Sequence, residues 1–192
     1  MKLRENILKN IIDNKSVLDL GCNWGGDFHT FIKNNSTSVK GCDIEAGHDF
    51  QADLNNPVDL GEKFDVIVAG ELIEHVANTK TFLENVQKHM GEDGTFFLTT
   101  PNPTSFRFYL YALLGKEPEF GGHIKYFTKD ALDLLLNQFF DDVHIGPTNN
   151  LTNQGNKHKV SWKIKFFIEN IIGTVNSRFA PHFYAICRSS KK

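Results

Sequence analysis

A chain of 192 residues, 40% hydrophobic and 23% charged, can bury one sizeable core but is short for a second independent domain. A net charge of −2 gives no electrostatic footprint for nucleic acid, whose binding usually demands a basic face, and three cysteines without CxxC or metal spacing fit reduced thiols in a cytoplasmic protein, with no metal expected. The opening MKLRENILKNIIDNKS lacks a secretory apolar region, and no run reaches the roughly 18 apolar residues of a membrane span.

Leu3, Ile7, Leu8, Ile11 and Ile12 recur at helical spacing, which predicts an amphipathic helix over residues 3–13. Val17-Leu18-Asp19-Leu20 reads as a strand; it runs into Gly21-Cys22-Asn23-Trp24-Gly25-Gly26 and then into an amphipathic helix that begins near Phe28. Strand, glycine loop and helix in that order make a seat for a small ligand, because glycine leaves no Cβ between the main chain and whatever lies over the helix N-terminus. A second short strand, residues 38–45, ends in acid with Asp43 and Glu45, and a weaker third, 50–54, ends in acid again at Asp53 and Leu54. The near-continuous apolar run of residues 64–70 predicts a central strand buried on both faces, followed by Glu71-Leu72-Ile73-Glu74-His75-Val76.

Helical spacing of Phe82, Leu83, Val86 and Met90 predicts a helix over 79–90, closed by Gly91 and Gly94, before a fifth strand over 95–100 that Pro101-Asn102-Pro103 stops. A short apolar insertion, 103–122, reads as a lid hinged by glycines, and a helix capped by Thr128 leads to a sixth strand at 143–145. A second insertion, 149–180, carries an amphipathic helix at 160–172 before a last strand at 182–187. The whole is one domain. Alternating strands and helices predict a doubly wound sheet whose ligand lies at the carboxyl ends of the strands, where Asp19, Asp43 and Asp53 all fall. A nicotinamide fingerprint would need GxGxxG, which this loop does not have.

Asp19-Leu20-Gly21-Cys22-Asn23-Trp24-Gly25, Gly41-Cys42-Asp43-Ile44, Ala52-Asp53-Leu54-Asn55, the run from Phe64 to Val76 and Thr99-Thr100-Pro101-Asn102 together resemble the class I S-adenosylmethionine-dependent methyltransferases, over roughly residues 15 to 146. The resemblance implies an α/β Rossmann-like, mostly parallel seven-stranded sheet with its last strand antiparallel and helices on both faces. It implies S-adenosyl-L-methionine as cofactor, with Asp19 toward the methionine moiety and Gly21, Cys22, Asn23 and Gly25 in the glycine loop. Asp43 would hold the ribose diol, Ile44 the adenine face, Asp53 and Leu54 the adenine edge, and Glu71 and Leu72 the methionine end. Asn23 stands where the family usually has a glycine.

Methyl transfer to a hydroxyl is helped by a general base, and histidine is suited to that near neutral pH. His123, in the family-like segment GHIKYFT after the lid, and His75 are the two catalytic candidates; the alternatives are that His123 orders its loop and that the Glu74-His75 pair shapes a turn. His29, His48, His89, His144, His158 and His182 read as surface or packing residues. The expected acceptor is a small molecule, a glycan or a lipid-linked intermediate, methylated at oxygen and chosen by the two insertions, the first of which offers Arg107, Tyr109 and Tyr111. The helix at 160–172, ringed by Lys157, Lys159, Lys163 and Lys165, has the pattern of a peripheral membrane or subunit contact, or of a helix packed on its own domain. The competing reading is a non-catalytic cofactor-binding subunit of a larger assembly.

Overall fold

The computed structural model describes residues 3–116, 122–148 and 177–189. The helix expected at 160–172, and most of the insertion 149–180, lie outside the described residues. Within them the chain runs α1 (Leu3–Ile12), β1 (Ser16–Leu20), a 3-10 turn (Cys22–Gly25), α2 (Gly26–Asn35), β2 (Ser38–Asp43), β3 (Phe50–Gln51), β4 (Phe64–Gly70), α3 (Thr79–His89), β5 (Met90–Pro101), α4 (Phe106–Leu113), α5 (Lys129–Leu136), β6 (Asp142–Thr148) and β7 (His182–Arg188). The strands form one seven-stranded sheet in the order β3-β2-β1-β4-β5-β7-β6. All are parallel except β7, which runs antiparallel to both β5 and β6.

Successive strand residues serve opposite faces of this sheet. Val17, Val66, Val68 and Phe97 pack with Leu8 and Ile12 of α1 and Phe28 and Ile32 of α2. Leu18, Leu20, Ile67, Ala69, Phe96 and Leu98 pack on the other side with Phe82, Leu83 and Val86 of α3 and Leu132 and Leu136 of α5. Two-sided burial is why β4 reads as an unbroken apolar run. Thr128 caps α5 as its sequence predicts, accepting a hydrogen bond from the Ala131 N–H.

Two expected elements differ. Residue Met90 already has extended backbone and pairs with Phe64, so α3 stops at His89 and the two glycines fall inside β5 instead of closing a helix. Thr95 pairs with Val66, which makes 91–94 an excursion within the strand; a Cβ on Gly94 would lie 2.9 Å from the Gly91 carbonyl oxygen. Strand β3 is two residues long, because Asp53 folds the chain into a turn by accepting from the Asn55 N–H at 3.0 Å. Among the described residues no helix is long and apolar enough to cross a membrane.

After β1 the chain goes outward to β2 and β3, then returns to place β4 against the other side of β1. That reversal opens a crevice at the carboxyl ends of β1 and β4, which is where an open α/β sheet receives its ligand.

Candidate active site

A cavity of about 200 Å³ fills the crevice, lined by Gly21, Asp43, Ile44, Ala52, Asp53, Leu54, Asn55, Glu71, Leu72, His75 and Val76. Gly21 turns the chain out of β1 with φ of 72°. A Cβ there would sit 3.0 Å from Leu72 Cδ1, so glycine serves both the left-handed backbone and the cavity floor. Asp43 is buried at the end of β2; one carboxylate oxygen accepts from the Asn23 N–H at 3.2 Å and the other from the Glu45 N–H at 3.0 Å. Each oxygen keeps a further lone pair. Ile44 is 62% exposed on the cavity wall, an apolar surface placed where a flat aromatic ligand could cover it.

Asn23 needs no glycine conformation, since it lies in the 3-10 turn and is not among the residues with positive φ. Its exposed side chain donates to Glu45 and its N–H to Asp43, so it braces the acid at the end of β2. Cys22 faces the core, where a Cβ on Gly41 would meet its Sγ at 2.7 Å, and burial pushes its thiol up to about 12. Gly25 ends the 3-10 turn. Asp19 stands behind the loop, nearly fully buried, with Oδ2 2.8 Å from His29 Nδ1. Burial raises the Asp19 pKa, while the hydrogen bond to that carboxylate raises the pKa of His29 above the usual histidine value. The Asp53 oxygens accept from Asn55 and Asn56, so this acid both shapes its turn and borders the cavity.

The end of the crevice lined by Glu71 and Leu72 is a wall of titratable groups. Glu71 adopts φ of 55°, uncommon outside glycine, and its Oε2 lies 3.2 Å from Nε2 of His182. Burial would raise the Glu71 pKa, but His182 and Arg4 outweigh it and hold the carboxyl well below the usual range. Arg4, buried at the start of α1, stacks 3.7 Å over the Phe28 ring. Glu74 is fully buried; its Oε2 accepts from the Thr100 hydroxyl at 3.0 Å, and burial together with the Glu71 charge pushes its pKa well up. His75 donates from Nδ1 to the Gly122 carbonyl at 3.0 Å, and its ring meets that of His123 edge-on at 4.6 Å. Burial, then His75, lowers the His123 pKa, which keeps its imidazole neutral at physiological pH. The structure thus brings His123 and His75 together at the end of the crevice that Glu71 and Leu72 occupy.

His29, His182 and Arg4 are participants that a linear reading assigns to surface or packing, or passes over. The signal for His182 is topological. An antiparallel last strand delivers its first residue to the edge where the parallel strands end, and Pro101 pairs with His182. Asn102, in sequence only part of the Thr99-Thr100-Pro101-Asn102 motif, has a structural role of its own: fully buried, it donates to the Arg178 and Ala180 carbonyls at 2.8 and 2.7 Å and accepts from the Thr104 N–H and hydroxyl at 2.8 and 2.7 Å. That clamp fixes β5 against the start of β7. In the insertion expected to act as a lid, Tyr109 packs edge-on against Phe179 at 5.8 Å and borders a second cavity of about 450 Å³.

A family model for the methyltransferase domain matches residues 1–140. Among curated proteins the chain is 35% identical over 97 residues to the cyclopropane-fatty-acyl-phospholipid synthase of Escherichia coli (strain K12), which covers 44% of this chain and 25% of that enzyme. It is 30% identical over 121 residues to the ubiquinone biosynthesis O-methyltransferase of Bartonella tribocorum, covering 55% of this chain and 48% of that enzyme. The chain therefore spans about half or less of the length of these relatives. A solved structure of an S-adenosylmethionine-dependent methyltransferase from Archaeoglobus fulgidus superposes with a TM-score of 0.61 at 20% identity, covering 96% of this chain and 94% of that one. The chain belongs to the S-adenosylmethionine-dependent methyltransferase family.

Proposed function

We propose that this chain transfers a methyl group from S-adenosylmethionine to a hydroxyl oxygen of a small-molecule, glycan or lipid-linked acceptor. The cofactor supplies an electrophilic methyl on a sulfonium; transfer to a hydroxyl forms one C–O bond, breaks one S–C bond and releases one proton. The residues present fit that cofactor. Asp43 offers two carboxylate oxygens to a vicinal diol, Ile44 and Leu54 offer apolar surface to a purine, and Asp53 borders the same end of the cavity. A wall carrying Asp43, Asp53 and Glu71 suits an ammonium and a sulfonium and would repel a pyrophosphate.

One observation carries the choice of oxygen: His75 and His123 stand with Glu74 at the methionine end of the crevice. A neutral imidazole there can take up a hydroxyl proton or hold an electrophile that makes the hydroxyl acidic. The names of the two curated relatives, one a fatty-acyl-phospholipid synthase and one an O-methyltransferase of ubiquinone biosynthesis, support a lipid-like acceptor. Nucleic acid is not expected at a net charge of −2.

The test is incubation with cofactor bearing a trideuterated methyl and a panel of phenolic, glycosidic and polyprenyl-linked hydroxyl compounds, read by mass spectrometry. One labelled methyl on oxygen is expected in at least one class. Saturable cofactor binding with no labelled product from any class would overturn this function in favour of a binding subunit.

A further inference from the structure

We propose that Glu74, His75 and His123 form a site for one divalent transition-metal ion beside the methionine end of the crevice. One ligand atom from each residue lies within 4.8 Å of the other two. Donors around a single ion at about 2.1 Å stand roughly 3–3.5 Å apart, so the shell closes by small side-chain rotations.

Glu74 shows the need for an electrophile. The residue has 0% exposure, Thr100 satisfies Oε2, and Oε1 has no hydrogen-bond partner among the described residues. A buried carboxylate oxygen left unmatched is costly, and a cation removes the cost. His75 is already oriented as a ligand, because a carbonyl can only accept: its contact with Gly122 puts the ring proton on Nδ1 and leaves Nε2 as the lone-pair nitrogen. Metal-bound imidazoles are commonly fixed in this way, by a backbone carbonyl on the far ring nitrogen. The third donor is held in register by main chain, since the Glu74 carbonyl accepts from the Ile124 N–H at 3.0 Å and the Lys125 N–H at 3.2 Å, next to His123.

Two imidazoles and one carboxylate favour zinc, cobalt, iron or manganese over magnesium or calcium, which prefer oxygen alone. Glu71 stays outside the set, committed to His182. An ion here would bind the acceptor hydroxyl and lower its pKa, the proton leaving to solvent; this role rests on the hydroxyl-acceptor reading, whereas the site itself does not.

The experiment uses the untagged full chain, stripped with chelator and titrated with Co²⁺ by visible absorption and with Zn²⁺ by calorimetry, Mg²⁺ serving as comparison. One ion per chain is expected, bound at least tenfold more weakly in Glu74→Gln and in His123→Gln, each checked for folding, with no change in His144→Gln. Cofactor affinity should stay within threefold in the same variants. Absence of stoichiometric binding, preference for Mg²⁺, or equal affinity in both folded variants would overturn the site. If chelated protein methylates hydroxyls at full rate, the ion's role in the transfer fails and the acceptor reading stands; if the ion binds but no hydroxyl is methylated, the acceptor reading fails and the site stands.

Discussion

Replacing Asp43 with alanine removes the carboxylate that ends β2 and borders the cavity. Two consequences follow. The ribose diol loses two charge-assisted acceptors, which together contribute about 2–3 kcal/mol, or roughly a 30- to 150-fold weaker dissociation constant. The Asn23 and Glu45 N–H groups also lose their acceptor, which should lower stability by about 1–2 kcal/mol. Calorimetric titration with the demethylated cofactor separates the two effects when thermal unfolding of the same variant is recorded beside it. A folded Asp43→Ala protein whose affinity stays within threefold of the parent would refute the placement of the ribose.

Gly21→Ala forces a side chain into left-handed backbone against Leu72, and a loss of about 1–2 kcal/mol in denaturant unfolding, together with weaker cofactor binding, is expected; unchanged stability would show that the turn relaxes freely. Asn102→Ala removes the amide donor to the Ala180 carbonyl and the acceptor of the Thr104 N–H, and leaves the Thr104 hydroxyl as a donor to the Arg178 carbonyl at 3.0 Å; it should cost about 2–4 kcal/mol, and a loss below about 1 kcal/mol would show that no clamp operates there. His29 has a pKa raised by Asp19, with Asp49 adding and Lys33 opposing. The stabilisation it supplies is complete below about pH 6.5 and lost as pH rises through its folded value, and solvent contact limits it to under about 1 kcal/mol. The melting-temperature gap between the parent and His29→Gln should therefore be wider at pH 6 than at pH 9, and an equal gap would contradict the pairing.

Local chemistry made the strand ends legible. An acid or glycine after an apolar run marks the carboxyl edge of a parallel sheet, which places Gly21, Asp43 and Asp53 at the crevice; Ile44, Leu54, Glu71 and Leu72 come from the family resemblance, and all seven line the cavity. Partners set by register were not legible. The pairing of Glu71 with His182 depends on β7 running antiparallel beside β5, and that of Asp19 with His29 on how α2 folds back over β1. Asn23 stands where the family usually has a glycine, and the backbone shows that no glycine is needed there. The loop is a right-handed 3-10 turn after Gly21 alone, which any residue can enter. The glycines of β5 misled in the opposite sense, marking a close backbone approach inside a strand and not a helix end.

The most direct measurement is a crystal structure of this chain with the demethylated cofactor bound. The ribose hydroxyls are expected on the Asp43 carboxylate, the adenine against Ile44 and Leu54, and the sulfur directed toward His75 and His123. A cofactor bound elsewhere, or with its sulfur turned away from those imidazoles, would contradict this arrangement.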